Sequence, residues 1–411
     1  MDGTSKLNLP KIHIVGLWGG WRQGLSPAAE TAVLMADLLV GGKRQLSFFP
    51  EFEGEQLAIG TNIGEVVNRL QAAREAGQKA VVLASGDPLC FGIGGTLRRF
   101  FAAEALKIHP MVSAFQLAFA AVGEPWQDAQ LVSGHGRAGR PVLQTVLTHR
   151  KTAVLTDRQN SPDTLAADLL KLPIAPDSRC VVCEQLGSED EQVFDLTLAE
   201  VAKRPFHPLN VMLVWNDAPI QPRPVGLPDD AFATERKQVT KREVRQVVLS
   251  ELSLRPYETM WDIGAGSGSV AIEAARAQPT AQVLAFEKDG TMAAHCRQNI
   301  ATHGAFNVTL YEGAIPALAE ADLPDPDVVF VGGSGGFLAE ILALAKVRLR
   351  LNGRLVATFA TLENLAIAQA HLPAADSYQI QINRIKPIAK NNRLSALNPV
   401  FVVRWMKREA L

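Results

Sequence analysis

The sequence predicts an α/β protein built as two successive units, and three observations predict it. Short runs rich in β-branched residues alternate with helical stretches through almost the whole chain, a pattern that gives largely parallel sheets covered by helices. The alternation breaks once, at the proline-rich stretch NDAPIQPRPVGLPDD, which has neither a helical nor a strand period. Beyond the break, a strand runs into Asp262-Ile263-Gly264-Ala265-Gly266-Ser267-Gly268 and then a helix, the setting in which a glycine loop can serve a ligand.

In chain order, KIHIVGL reads as a strand, PAAETAVLMADLLVGG as a helix and KAVVLASG as a strand; TAVLTD, RCVVCEQL and NVMLVW are further strands. The first unit spans 1–215, a linker 216–230 and the second unit 231–411. In the second unit a helix is expected from Thr240 to about Leu252, with Thr240 as N-cap and Glu243 completing a capping box. Strand ETMWDIG, helix SVAIEAARA, strand QVLAFE, helix GTMAAHCRQNIATHG and strands NVTLYEG and PDVVFVGG follow. A helix through FLAEILALAKVRLR, strand GRLVATFA and a helix from about Thr361 come next. Two extended segments, near 377–388 and 398–406, have no helix between them. They are expected to pair as an antiparallel hairpin on an otherwise parallel sheet.

Composition narrows the function. The chain has 411 residues, 47% of them hydrophobic and 20% charged, which argues against extended disorder. Lys plus Arg number 41 against 42 for Asp plus Glu, a net charge of −1. A protein that tracks a phosphate backbone usually carries a basic excess, so no nucleic-acid partner is expected. No apolar run approaches the roughly 18 residues of a membrane span, and MDGTSKLNLPK lacks the apolar stretch of a secretory signal. Four cysteines make no disulfide framework, and a cytoplasmic setting is expected. Cys180 and Cys183, three apart on a strand, point to opposite faces and read as core residues; no metal site is expected.

The glycine loop does not fit a dinucleotide fingerprint, because Ser269 stands where the third glycine or alanine belongs. Glu287 closes the next strand, where a carboxylate can accept both hydroxyls of a ribose. This arrangement, with the terminal strand pair, resembles the class I methyltransferases that bind S-adenosylmethionine. The resemblance implies that Gly264, Ala265, Gly266, Ser267 and Gly268 flank the cofactor with Asp262 and Thr240 beside them. It also implies that Glu287 holds the ribose and that Gly313 and Ala314 lie near the adenine. A turn that merely packs helix on strand, or an NAD site, remains the alternative. Gly332-Gly333-Ser334-Gly335-Gly336 follows a later strand, at the end where α/β sheets bind ligands. A large substrate with carboxylates could rest there, or the loop is a plain surface connection.

Three clusters mark the first half: Ser85-Gly86-Asp87-Pro88-Leu89-Cys90-Phe91-Gly92, the run His109 to Ala118 in which Ser113 can cap a helix starting at Ala114, and Ser133-Gly134-His135-Gly136-Arg137. Together and in this order they resemble the tetrapyrrole methyltransferase family, class III, and within it the cobalamin-pathway branch. The resemblance implies cofactor contacts at Gly86, Asp87, Pro88, Ser113, Ala114 and His135, with Arg137 toward the substrate. Many members carry G-x-G-P after the first strand; here the text is Gly16-Leu17-Trp18-Gly19-Gly20-Trp21. Trp18 and Trp21 line the tetrapyrrole site or belong to the core, and both readings stay open.

The two halves together, with VTKREVR at 239–245, resemble the decarboxylating precorrin methyltransferases of cobalamin biosynthesis. That implies a two-subdomain tetrapyrrole methylase fold followed by a Rossmann-like class I fold. It implies two S-adenosylmethionine sites, a precorrin substrate methylated at carbons 5 and 15, loss of carbon dioxide from the carbon-12 acetate, precorrin-8X as product, and a homo-oligomer. Gly332, Gly333, Ser334 and Gly335 would meet the substrate. No residue has to act as a base; Tyr311 and Glu363 are the candidate proton handlers. A methyltransferase acting on another substrate such as RNA, and a non-enzymatic cofactor sensor, are the alternatives.

Overall fold

The computed structural model describes residues 9–18, 24–60, 62–135, 139–235, 239–313 and 323–408. The chain divides into two compact units, Met1–Ala218 and Pro219–Leu411.

The first unit holds two five-stranded sheets. One contains β1 (Ile12–Leu17), β2 (Leu38–Gly41), β3 (Glu55–Ala58), β4 (Ala80–Ser85) and β5 (Leu106–His109), all parallel, in the order β3-β2-β4-β1-β5. β1 and β4 are apolar along almost their whole length, as strands covered on both faces must be. The run PAAETAVLMADLLVGG, expected as one helix, divides. Ser26 caps the helix Pro27–Leu34 by accepting from the Ala29 N–H at 3.2 Å, and Leu38–Gly41 becomes β2, buried at all four residues. A short run that is apolar on every side fits a central strand as well as a helix, and only the neighbours β3 and β4 decide.

The second sheet contains β6 (Gln130–Ser133), β7 (Lys151–Leu155), β8 (Arg179–Glu184), β9 (Gln192–Thr197) and β10 (Asn210–Trp215), in the order β6-β7-β10-β8-β9. Only β6 and β7 are parallel; the other pairs are antiparallel, contrary to the expected parallel sheet. The connection from β8 to β9, residues 185–191, is too short for the crossover a parallel pair needs. Cys180 and Cys183 lie fully buried on β8, and burial pushes the Cys183 thiol up to about 12.

The second unit is built on a seven-stranded sheet: β11 (Thr259–Ile263), β12 (Gln282–Glu287), β13 (Val308–Glu312), β14 (Val328–Val331), β15 (Arg354–Phe359), β16 (Asp376–Ile380) and, after the short strands β17 (Asn383–Ile388) and β18 (Asn391–Ala396), β19 (Val400–Met406). The order is β13-β12-β11-β14-β15-β19-β16, parallel as far as β15. β19 lies antiparallel between β15 and β16, so the expected terminal pair forms. The segment near 377–388 splits, however, because 383–388 turns back at Ala389 (φ 50°) and pairs with β18 in a separate ribbon. Trp261, Phe286 and Leu342 fill one face of the large sheet; Val248, Ile272 and Phe330 fill the other.

The proline-rich stretch does not stand free along its length. The Arg223 N–H donates to the Arg276 carbonyl at 2.9 Å, and the N–H groups of Gly226 and Leu227 donate to Glu273 on the helix Ser269–Ala277. The capping box expected at Thr240 and Glu243 is absent. The helix runs Arg242–Leu252 with Lys241 at its N-cap, and the Arg242 N–H donates to Asp229 Oδ1 at 2.8 Å. Glu243 is instead taken by Arg384 at 2.9 and 2.6 Å. Among the described residues, no helix is long and apolar enough to cross a membrane, and no group of three or more His, Cys, Asp or Glu side chains could hold a metal ion.

Candidate active sites

In the second unit a cleft of about 410 Å³ opens at the carboxyl ends of β11, β12 and β14. Its floor is the glycine loop. Gly264, Gly266 and Gly268 have φ of 72°, 57° and 77°, which only glycine adopts without strain. At Gly264 there is a second reason for glycine. A Cβ there would lie 2.7 Å from the Gly333 backbone nitrogen, so the two glycine loops touch backbone to backbone. Gly264, Ala265, Gly266, Ser267, Glu287, Gly313, Thr240 and Gly332 to Gly335 all lie on the wall, as the sequence proposes. Glu287 is held from both sides, accepting from the Gly266 N–H at 2.7 Å and the Asp289 N–H at 2.9 Å.

Asp262 and Gly268 lie behind that wall. A Cβ at Gly268 would lie 2.5 Å from Cys296 Sγ. Asp262 is fully buried; its Oδ2 accepts from the Ala271 N–H at 3.0 Å, and its Oδ1 has no hydrogen-bond partner among the described residues. Burial pushes this carboxyl up from 3.8 to about 7, and the Glu287 charge pushes it the same way, against the Ala271 hydrogen bond. A carboxyl raised in the fold takes up a proton on folding between its unfolded and folded values. Stability therefore falls as pH rises from about 4 to about 7, by up to about 1.4 kcal/mol per pH unit, and is flat above. Asp262→Asn, which keeps an oxygen for Ala271, should lose this slope. In urea unfolding, its stability relative to the parent should rise from pH 5 to pH 8; a constant difference would refute the shift.

Tyr311 stacks on Phe286, with ring centroids 5.4 Å apart, and Glu363 lies exposed in the first turn of the helix Leu362–His371; neither reaches the wall of the cleft. Ala314, Trp21 and Arg137 lie outside the described residues. The sequence reading missed Lys288 and Phe337, which meet across the mouth of the cleft.

The first unit has a larger cleft, about 660 Å³, between its two sheets. Gly86, Asp87, Ser113, Ala114 and His135 lie on its wall. The side chains of Asp87 and Ser113 are committed to the loops themselves. Asp87 Oδ1 accepts from the N–H groups of Leu89 and Cys90, at 2.7 and 3.2 Å. Ser113 and Gln116 form a reciprocal capping box on the helix Ala114–Ala121. Pro88 packs inward, its Cδ within 3.1 Å of where a Cβ on Gly16 would stand, and Met111 closes on the same point. Trp18 is half-buried beside β1 and not on the wall. Phe91 lies in the first marked cluster, but the sequence assigns it no role. It holds a φ of 53°, rare for an aromatic residue, and its ring stands 47% exposed on the cleft wall, edge-on to Phe115.

A family profile for tetrapyrrole (corrin/porphyrin) methylases matches residues 11–202, and one for the precorrin methyltransferase domain matches residues 230–408. Folds, clefts and profiles define an enzyme of the S-adenosylmethionine-dependent methyltransferases. Over 412 residues, and 97% of each chain, the protein is 34% identical to the precorrin-6Y C(5,15)-methyltransferase (decarboxylating) of Sinorhizobium sp. It belongs to the family of decarboxylating precorrin-6Y C(5,15)-methyltransferases. Two shorter relatives come from Salmonella typhimurium. A cobalt-precorrin-7 C(5)-methyltransferase is 37% identical over 46% of this chain and 92% of its own. A cobalt-precorrin-6B C(15)-methyltransferase (decarboxylating) is 36% identical over 43% and 92%. The residues of the second cleft fit the cofactor. The cradle at Gly264 admits no Cβ, and Glu287 is fixed at the cleft wall.

Proposed function

We propose that the chain carries two S-adenosylmethionine sites, one in each unit, that methylate a precorrin at two carbons. In this reading the first unit methylates carbon 5. The second unit methylates carbon 15 and removes the carboxyl group of the carbon-12 acetate, giving precorrin-8X. The observation that carries it is the pair of separate glycine-lined clefts, each at the carboxyl ends of strands in its own unit. That half-length relatives are named for each carbon separately supports the same division.

The cofactor supplies a methyl group on sulfonium, an excellent leaving group. What remains for the protein is to hold an electron-rich carbon in line at near-attack distance. Backbone cradles suffice for that, consistent with a first cleft in which Asp87 and Ser113 are spent on their own loops. In the second, Glu287 would hold the ribose, and the Gly332 to Gly335 loop would receive the macrocycle. Decarboxylation needs an electron sink, which the conjugated ring offers, and a wall that excludes water from the departing carboxylate.

The test is the intact protein with reduced precorrin-6 and S-adenosylmethionine, read by mass spectrometry. Two methyl gains with one carbon dioxide loss are expected. Gly86→Val, whose new Cβ would press on the Val112 carbonyl at 3.3 Å, should remove one methyl gain only. One methyl gain in the parent protein would sink the two-site reading.

We also infer self-association. The β17–β18 ribbon is tied to the unit through Arg384 but exposes Ile385 and Leu394 at 70% each, apolar side chains that a second copy would cover. Light scattering should give a multiple of the chain mass, reduced by Ile385→Glu with Leu394→Glu. A monomeric parent protein would refute it.

A further inference from the structure

Among the described residues, two charged side chains stand on the wall of the second cleft: Glu287, buried and held by two N–H groups, and Lys288, exposed. Lys288 leaves the end of β12 and reaches across to the loop after β14. Its ammonium donates to the Gly335 carbonyl at 3.1 Å and lies 5.6 Å from the centre of the Phe337 ring. The crossing constrains the loop. A Cβ at Gly335 would lie 2.6 Å from Lys288 Cε, and Gly335 itself takes a φ of 53°. Phe337 is 45% exposed, an uncovered aromatic face beside a cation on a loop otherwise made of glycine and serine.

An ammonium whose hydrogen-bond partner among the described residues is one neutral carbonyl, at an open mouth, is poised to exchange it for a carboxylate, which binds more strongly. A flat conjugated ring edged with carboxylates complements both members of the pair, the aromatic face and the charge beside it. We propose that Lys288 and Phe337 together are a substrate-recognition site in which Lys288 pairs with a peripheral carboxylate of the macrocycle and Phe337 packs against its face. In the free protein Lys288 ties down the glycine loop through Gly335; with substrate present the ammonium turns to the carboxylate. This rests on the reading that the macrocycle meets the Gly332 to Gly335 loop.

The test uses the full chain and follows carbon dioxide release at varied precorrin and saturating S-adenosylmethionine, with cofactor affinity measured separately by calorimetry. Lys288→Met keeps the aliphatic stem over Phe337 and removes the charge. It should raise the KM for precorrin about 10- to 50-fold, with kcat and cofactor Kd each within about twofold. Lys288→Arg should recover most of the loss. Added salt should raise KM in the parent protein and have little effect in the methionine variant. Ser334→Phe, on the same loop, is the control for where the macrocycle lies. If Ser334→Phe raises KM and Lys288→Met does not, the assignment of Lys288 is wrong while the placement of the macrocycle stands. If neither variant moves KM, the placement itself fails. A weaker cofactor Kd in Lys288→Met with unchanged KM would make Lys288 part of the cofactor site and overturn the inference.

Discussion

Gly264→Ala will cut carbon dioxide release by 100-fold or more while the chain remains folded. The new methyl group would stand 2.7 Å from the Gly333 nitrogen and 2.8 Å from its carbonyl carbon. Both are backbone atoms of a second loop, with no flexible side-chain end to yield. The alanine would also have to hold a φ of 72°, at a cost of about 1–2 kcal/mol. Relief requires the loops after β11 and β14 to part by a substantial fraction of an ångström. These two loops are the floor and far wall of one cleft, and a displacement of about 1 Å in a reacting group can cost 100-fold. Gly266→Ala is the comparison. Among the described residues its Cβ meets only Met292 Cε at 3.5 Å, ordinary contact, so it carries the backbone strain without the collision. Chemical unfolding should find Gly264→Ala the less stable of the two. Equal stabilities would mean that the backbone-to-backbone contact is not what demands glycine.

The second large effect falls on Arg245. This guanidinium is fully buried beside Glu273, itself 1% exposed, and donates to it at 2.6 Å. It also donates to the Thr240 carbonyl at 2.5 Å and to the Leu227 carbonyl, and lies 4.9 Å from the Phe232 ring centre. Glu273 in turn receives the N–H groups of Gly226 and Leu227. Arg245→Met leaves a buried carboxylate without its counter-charge, a loss of about 3–5 kcal/mol. Replacing both members by apolar residues often restores stability elsewhere. Here it should not, because four backbone groups would be left unpaired. Hydrogen exchange should show opening concentrated in 226–252 and 269–277. Thr240 is on the cleft wall, so cofactor affinity in the second unit should fall as well. A double variant as stable as the parent would refute the argument.

These two sites show what a sequence discloses. The glycine loop and Glu287 were legible because a strand, a turn and a helix N-terminus are contiguous, and the spacing itself carries the geometry. The backbone contact between Gly264 and Gly333 was not, since it joins residues far apart in the chain. Lys288 and Phe337 were hidden for the same reason: each is ordinary where it stands, and only the adjacency of β12, β11 and β14 brings the two together. Thr240 and Glu243 had the local signature of a capping box, yet distant partners won. Arg384 takes Glu243, and Asp229 serves the helix N-terminus. In the first unit the motif residues lie on the cleft, and Ser113 caps its helix as its place before Ala114 suggested. Asp87 instead shapes its own loop, accepting from the Leu89 and Cys90 N–H groups, which spacing alone does not reveal. Phe91 shows the limit, because nothing in its neighbours announces a left-handed aromatic residue.

The position of β19 also bears on synthesis. Domains generally fold as they emerge from the ribosome, N-terminal first. The strands of the first unit are complete once Trp215 is made. The large sheet of the second unit is different, because the strand made last takes an interior place between β15 and β16. Until Met406 has cleared the exit tunnel, β15 presents an open edge and β16 has no partner in that sheet. A stalled or prematurely ended message would therefore release a chain with a finished first half and an adhesive second half. Such a product is one for quality control to remove, and rare codons within 397–406 should lower yield more than the same codons before residue 215.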